Sequence, residues 1–127
     1  MLPRDARVHS AVEFSEVVRR GRRASRPLLT VHALGPADGA ADEQLARAGL
    51  VVSKAVGGSV VRHRTSRRLR HLLRDRLLTL PAGTRLVVRA APAAGAAPSA
   101  ALAADLDAAM SAAVSAVLRG RPARPPR

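Results

Sequence analysis

The residues best equipped for chemistry in this chain are Arg62, Arg64, Arg67, Arg68, Arg70 and Arg74, six guanidinium groups between positions 62 and 74. A guanidinium is a planar fork of donors that stays charged at physiological pH and matches a phosphate in shape. A cluster of them binds a polyanion, and because binding releases condensed counterions it weakens steeply as salt rises. Lys54, just upstream, reads as a further phosphate contact. Gly57-Gly58 lets backbone approach a ligand, ahead of a helix whose first amides are free to meet an anion. A solvated arginine face is the plainer alternative, but this density near one helix start exceeds what solubility requires.

No other group of residues reads as a catalytic or metal centre. His9, His32, His63 and His71 are wrongly spaced for ligands on one helical face and have no carboxylate in register. Ser53-Lys54 lacks the third partner that would make a nucleophile and its base. Asp38, Asp42 and Glu43 are close in sequence, but a polar connection cannot hold two metals at a fixed separation. The chain has no cysteine, which excludes disulfides and thiolate sites and suits a reducing compartment.

The elements that must position the arginines follow from periodicity. Ser10-Ala11-Val12-Glu13 has the form of a capping box opening a first helix, with Ala11, Phe14, Val17 and Val18 on one face and Gly21 as its stop. The basic run Arg19 to Arg23 reads as the tail of that helix. Leu28 to Leu34 reads as a buried strand, and a second strand starts near Ala48 and runs toward Val56. The second helix, Ser59 to about Leu80, places Val61, Thr65, Leu69, Leu72, Leu73, Leu77 and Leu80 in one sector, with most of the arginines opposite. Arg62 and Arg76 fall toward the apolar sector. Arg85 to Ala91 reads as a third strand, Pro92 to Pro98 as a turn-rich linker, and Ala100 to Arg119 as an alanine-rich third helix packed through Leu102, Leu106, Met110, Val114 and Val117.

Length and charge agree. A chain of 127 residues suits one modest core, read here as a single domain over 1–119 followed by a disordered Arg/Pro tail over 120–127. The net charge of +13, from 22 basic residues of which all but Lys54 are arginine, points to a nucleic acid. No stretch reads as a signal sequence or membrane span. A soluble, cytoplasmic protein with no membrane partner is expected. The 47% apolar content is inflated by alanine and overstates the core.

The run Arg47-Ala48-Gly49-Leu50-Val51-Val52-Ser53-Lys54-Ala55-Val56-Gly57-Gly58-Ser59-Val60-Val61-Arg62-His63-Arg64, continuing to Arg67-Arg68-Leu69-Arg70, resembles the bacterial ribonuclease P protein family. That family's signature is a strand ending in a Ser-Lys segment and glycine, then an Arg-Asn-Arg helix. Phe14, Val17 and Gly21 match its Phe-x-x-Val-x-x-x-Gly pattern in the first helix. His63 stands where the family usually has Asn, Gly58 where Asn is common, Ser66 in place of a frequent Lys, and Val18 and Val31 where aromatic residues are frequent.

The resemblance implies an α+β sandwich in the order α-β-β-α-β-α with a small central sheet. Its parallel crossover through the arginine-rich helix would be left-handed, against the general rule. It also implies a ribonuclease P subunit that assists removal of the 5′ leader from precursor tRNA. The hydrolysis would be carried by a catalytic RNA with Mg²⁺, so the protein would carry no catalytic residue. Lys54, Arg62, His63, Arg64, Arg67, Arg68 and Arg70 would bind that RNA, and Phe14, Val18, Val31 and Arg89 would line a cleft for the leader. One monomeric copy per ribonucleoprotein is expected. From pattern alone Phe14, a lone aromatic at helical spacing, reads first as core. The alternatives are a basic RNA chaperone or ribosomal protein, which the ordered run from Arg47 to Arg70 argues against, and a DNA-binding regulator, for which no partner helix is evident.

Overall fold

A computed structural model describes residues 10–36 and 45–120. The acidic connection around Asp38, Asp42 and Glu43, His9, and all but the first residue of the Arg/Pro tail lie outside the described residues. Helix α1 spans Ala11–Arg20, and the Ser10 hydroxyl accepts the Glu13 amide at 3.0 Å. Only half of the capping box forms, because the Glu13 carboxylate turns to Arg47 instead. At Gly21 the helix ends where backbone passes so close that a Cβ would overlap the carbonyls of Val17 and Ala33.

The next segment departs from the sequence reading. Arg22–Ser25 is a strand, β1, not the basic tail of α1. Its partner β2, Leu29–Leu34, supplies the ladder, with Arg22 opposite Ala33 and Ser25 opposite Thr30. An Arg-Arg-Ala-Ser edge strand buries only Ala24 in part and so carries no hydrophobic alternation to be read. Strand β3, Arg47–Val51, is shorter than expected because Lys54–Val56 winds into a 3₁₀ turn. Strand β4, Arg85–Ala90, completes a four-stranded sheet in the order β1-β2-β4-β3. β2 pairs antiparallel with β4, and β3 pairs parallel with it.

Helix α2, Ser59–Leu77, and helix α3, Ser99–Gly120, share one face of the sheet, and α1 lies on the other. The core is the layer where Leu29, Val31, Ala33, Ala48, Leu86 and Val88 meet Leu69 and Leu73 of α2 and Leu106 and Met110 of α3. Each fully buried leucine contributes about 2 kcal/mol of transfer free energy. By length and composition α3 could cross a membrane, but Leu102, Leu106, Met110, Val114 and Val117 are buried within the domain. Its outer face is not wholly apolar: Arg76 of α2 is forked onto Asp107, and Asp105 accepts the Leu28 amide at 3.0 Å. Part of the Pro92–Pro98 linker is a 3₁₀ turn, Pro92–Ala96.

The hand of the β3-α2-β4 crossover follows from L stereochemistry. In a strand of L residues running upward, a residue whose side chain faces the viewer points its N–H and C=O to the right. Arg47 turns its side chain toward α1 and donates its amide to the Thr84 carbonyl at 2.9 Å, on the β4 side. Seen from the α2 face, β4 therefore lies to the left of β3. A chain that rises through β3, returns through α2 in front and rises again on the left makes a left-handed connection, as the resemblance implies and against the general preference.

Candidate nucleic-acid interface

The arginine face of α2 exists because the helix buries only a narrow stripe, Thr65, Leu69, Leu73 and Leu77, spaced four residues apart. Arg67, Arg74 and His63 stand exposed, Arg62, Arg64, Arg68 and Arg70 are half-buried, and Lys54 is exposed in the 3₁₀ turn before the helix. None of these arginines has a carboxylate within ion-pair distance among the described residues. Arg76, the one directed toward α3, does. The cations of this face thus remain available while the inward one is neutralised.

Two of the outward cations also do structural work. Arg64 donates to the Gly95 carbonyl at 3.0 Å and Arg68 to the Ala97 carbonyl at 3.1 Å, fastening the 3₁₀ turn to α2. The Nε atoms of Arg62 and Arg64 are buried without a partner, so both side chains are held by packing with donors unspent. A fixed guanidinium loses less entropy on meeting a phosphate than a free one.

On the opposite face α1 lies across the strands, and paired charges hold it there. Glu13 receives both Nη groups of Arg47 from β3, at 2.9 Å for the first. Glu16, one turn on, accepts Arg85 from β4 at 2.7 Å. Arg47 and Arg85 sit opposite each other in the parallel ladder, so two carboxylates at helical spacing match two arginines at strand spacing. Arg85 is buried, and its Nε donates to the Gly35 carbonyl at 2.9 Å. The hydrogen bond and charge of Arg85, aided by Arg20 and Arg19, hold the Glu16 carboxyl below the usual carboxylate range against a smaller opposing effect of burial.

Phe14 and Val17 point down from α1 onto the next row of the sheet. Val17 is fully buried, and the Phe14 ring lies on Gly49 so closely that a Cβ there would overlap it. Phe14 is half-buried. Beside α1 the sheet stays uncovered and forms a groove of about 450 Å³ lined by Val18, Gly21, Arg23, Thr30, His32 and Arg89.

Two expected site residues, Phe14 and Val31, are not among the residues that line this groove; Phe14 lies over Gly49 of β3. Val31 lies on the other face: the side chain is fully buried on the α2/α3 side, opposite Val88. Adjacent strand residues face opposite sides, so the groove receives Thr30 and His32. Sequence reasoning missed both, together with Arg23, by reading Leu28 to Leu34 as a uniformly apolar strand and passing over the marker of its parity. The marker was Thr30 and His32 themselves, the two polar side chains at alternate positions. His32 is buried with its Nδ1 unbonded. Burial first, then the charges of Arg89 and Arg23, push its pKa below that of a free imidazole, so the ring is neutral and can give or take one hydrogen bond. Val18 and Arg89 do line the groove. Among the described residues no three His, Asp or Glu side chains gather into a group that could hold a metal ion.

A small α+β domain with a free arginine face on one helix and a cation-flanked groove on the far side of its sheet belongs to the class of basic domains whose surfaces suit a polyanion. Comparison with known proteins makes the assignment specific. The family model for ribonuclease P matches residues 2–114. The ribonuclease P protein component of Streptomyces avermitilis is 56% identical over 99 residues, covering 75% of this chain and 80% of its own length. That of Rhodococcus jostii is 50% identical over 101 residues, covering 76% and 79%. Among solved structures, the RNase P protein of Staphylococcus aureus superposes with a TM-score of 0.74 at 19% identity, over 85% of this chain and 94% of that one. The Thermotoga maritima protein gives 0.67 at 18%, over 80% and 92%. At that identity the structures establish the fold. The chain belongs to the ribonuclease P protein family, the RNA-binding protein components of a tRNA-processing ribonuclease.

Proposed function

We propose that this protein docks on the catalytic RNA of ribonuclease P through the arginine face of α2 while the groove beside α1 receives the single-stranded 5′ leader of precursor tRNA. The observation that carries this reading is the separation of the two surfaces. They lie on opposite faces of one sheet, so two RNAs can be held at once. Lys54 and the start of α2, including Arg62, His63 and Arg64, meet the catalytic RNA, with Arg67, Arg68 and Arg70 extending the contact. In the groove Arg23 and Arg89 face leader phosphates and His32 and Thr30 offer hydrogen bonds to base edges, while Phe14, on α1 outside the groove lining, offers a stacking face.

On this reading the protein supplies binding, and the chemistry of leader hydrolysis belongs to the RNA subunit with its Mg²⁺. Arginines that neutralise phosphate repulsion between the two RNAs replace part of the divalent cation otherwise needed to bring them together. One monomeric copy per ribonucleoprotein, in the cytoplasm, completes the proposal. The test is reconstitution with a bacterial ribonuclease P RNA and precursor tRNA at limiting Mg²⁺. Leader removal should rise on adding the protein, and rise less for a substrate whose leader is held in a duplex. Unchanged processing would refute the assignment of both surfaces.

A further inference from the structure

We infer that the β1 edge of the sheet is a second phosphate track, which takes up the distal, 5′-most part of the leader after it has crossed the groove. This inference rests on the leader lying in the groove. The exposed row of the groove floor runs across the strands from Val51 in β3 through Arg89 in β4 and Thr30 in β2 to Ser25 in β1. Ser25 and Thr30 share a hydroxyl hydrogen bond of 3.1 Å at its outer end. Four strands spaced about 4.8 Å apart make a floor roughly 14 Å wide, after which an RNA strand leaves the sheet at one edge or the other.

The direction is set by the fold. The β3 end of the row leads through the Lys54 turn into the start of α2, where the catalytic RNA docks, so the scissile end of the leader belongs there. The distal end therefore leaves over β1. That edge is unusually cationic. Arg22, Arg23 and Arg26 are exposed there, and the Arg22 guanidinium rests against Gly120, bringing the end of α3 and the exposed Arg119 to the same place. The nearest acid, Asp105, is 4.0 Å from Arg26 and already accepts the Leu28 amide. Arg22, Arg23 and Arg119 have no carboxylate partner among the described residues. An edge strand with basic side chains also resists pairing with another chain, but that purpose does not require the cations to continue a groove already flanked by Arg23 and Arg89.

The experiment uses the reconstituted holoenzyme, precursor tRNAs whose leaders are lengthened one nucleotide at a time, and the double variant Arg22→Ala/Arg26→Ala. Neither residue lines the groove. For the wild type, affinity should climb in two stages, first as the leader fills the groove and again as it passes β1. In the variant the first stage should be intact and the second lost, with the salt slope for long leaders smaller by about 1.4, or roughly 0.7 for each lost single-strand phosphate contact. A variant indistinguishable from wild type at every leader length would overturn the inference. So would a variant weakened equally for leaderless tRNA or for the catalytic RNA alone, which would assign the edge to a different RNA. If the wild type gains nothing even from a leader that only fills the groove, it is the groove reading that fails.

Discussion

Replacing Val31 and His32 one at a time separates the two faces of β2. Val31 is fully exposed to the core and not at all to solvent. Its truncation to Ala removes two methyl groups, about 1.6 kcal/mol of transfer free energy, and a partly collapsed cavity raises the cost to roughly 2–2.5 kcal/mol. For a domain of this size that lowers Tm by roughly 8–10 °C. If the wild type is stable by about 5 kcal/mol or more, under about 2% of the variant is unfolded at 25 °C, so affinities measured there report the folded protein. His32→Ala instead removes a neutral ring on the groove side whose Nδ1 has no internal partner. One lost hydrogen bond to a leader base corresponds to about 0.5–1.5 kcal/mol, or roughly 2- to 13-fold in affinity. The assay is a thermal melt of each variant beside holoenzyme binding to precursor tRNA with and without its leader. Val31→Ala should shift the melt and leave the leader-dependent gain intact, whereas His32→Ala should reduce that gain. The opposite pattern, with Val31→Ala abolishing the leader's contribution and His32→Ala neutral, would refute the parity on which the groove is built.

Arg67→Ala/Arg70→Ala should weaken binding to the catalytic RNA and lower its salt slope by about 1.4–1.8, read by titration at graded salt, with little change in stability because neither side chain has a carboxylate partner in the described fold. Gly49→Val should force the Phe14 ring off the sheet, costing about 1–3 kcal/mol in urea denaturation and reducing leader-dependent affinity more than affinity for the catalytic RNA. Glu16 should make stability acid-sensitive. Because Arg85 depresses its folded pKa below the unfolded one, its contribution is full at neutral pH and is lost as pH falls through the folded value. The difference in urea midpoint between wild type and Glu16→Gln should accordingly shrink on acidification. A difference that stays constant with pH would show that the carboxylate's charge is not what docks α1.

Much of the site was legible because it is local. Charge density, the glycine pair and the four-residue apolar stripe of α2 lie within one continuous stretch, and helical periodicity alone places arginines opposite leucines. The order of the helices and three of the strands follows from the same periodic signals. The fourth strand was not legible: Arg22–Ser25 has almost no apolar content, and its conformation is imposed by the ladder of β2. The groove was only partly legible. Its α1 wall was readable through Val18, but its floor depends on which way each residue of β2 and β4 points, and that is decided by where α2 and α3 find apolar surface to cover.

The sequence by itself determined that the chain carries the charge to meet a polyanion, that helix α2 concentrates that charge on one face, and that one modest apolar core supports it, since these depend on residue types and spacings inside single elements. Tertiary structure alone decided that Glu13 and Glu16 meet Arg47 and Arg85, that Val31 is core and His32 is groove, that Arg76 is spent on Asp107, and that the crossover is left-handed. The physical reason is that each of these joins residues far apart in the chain, and local propensity carries no information about which distant surface an element will bury.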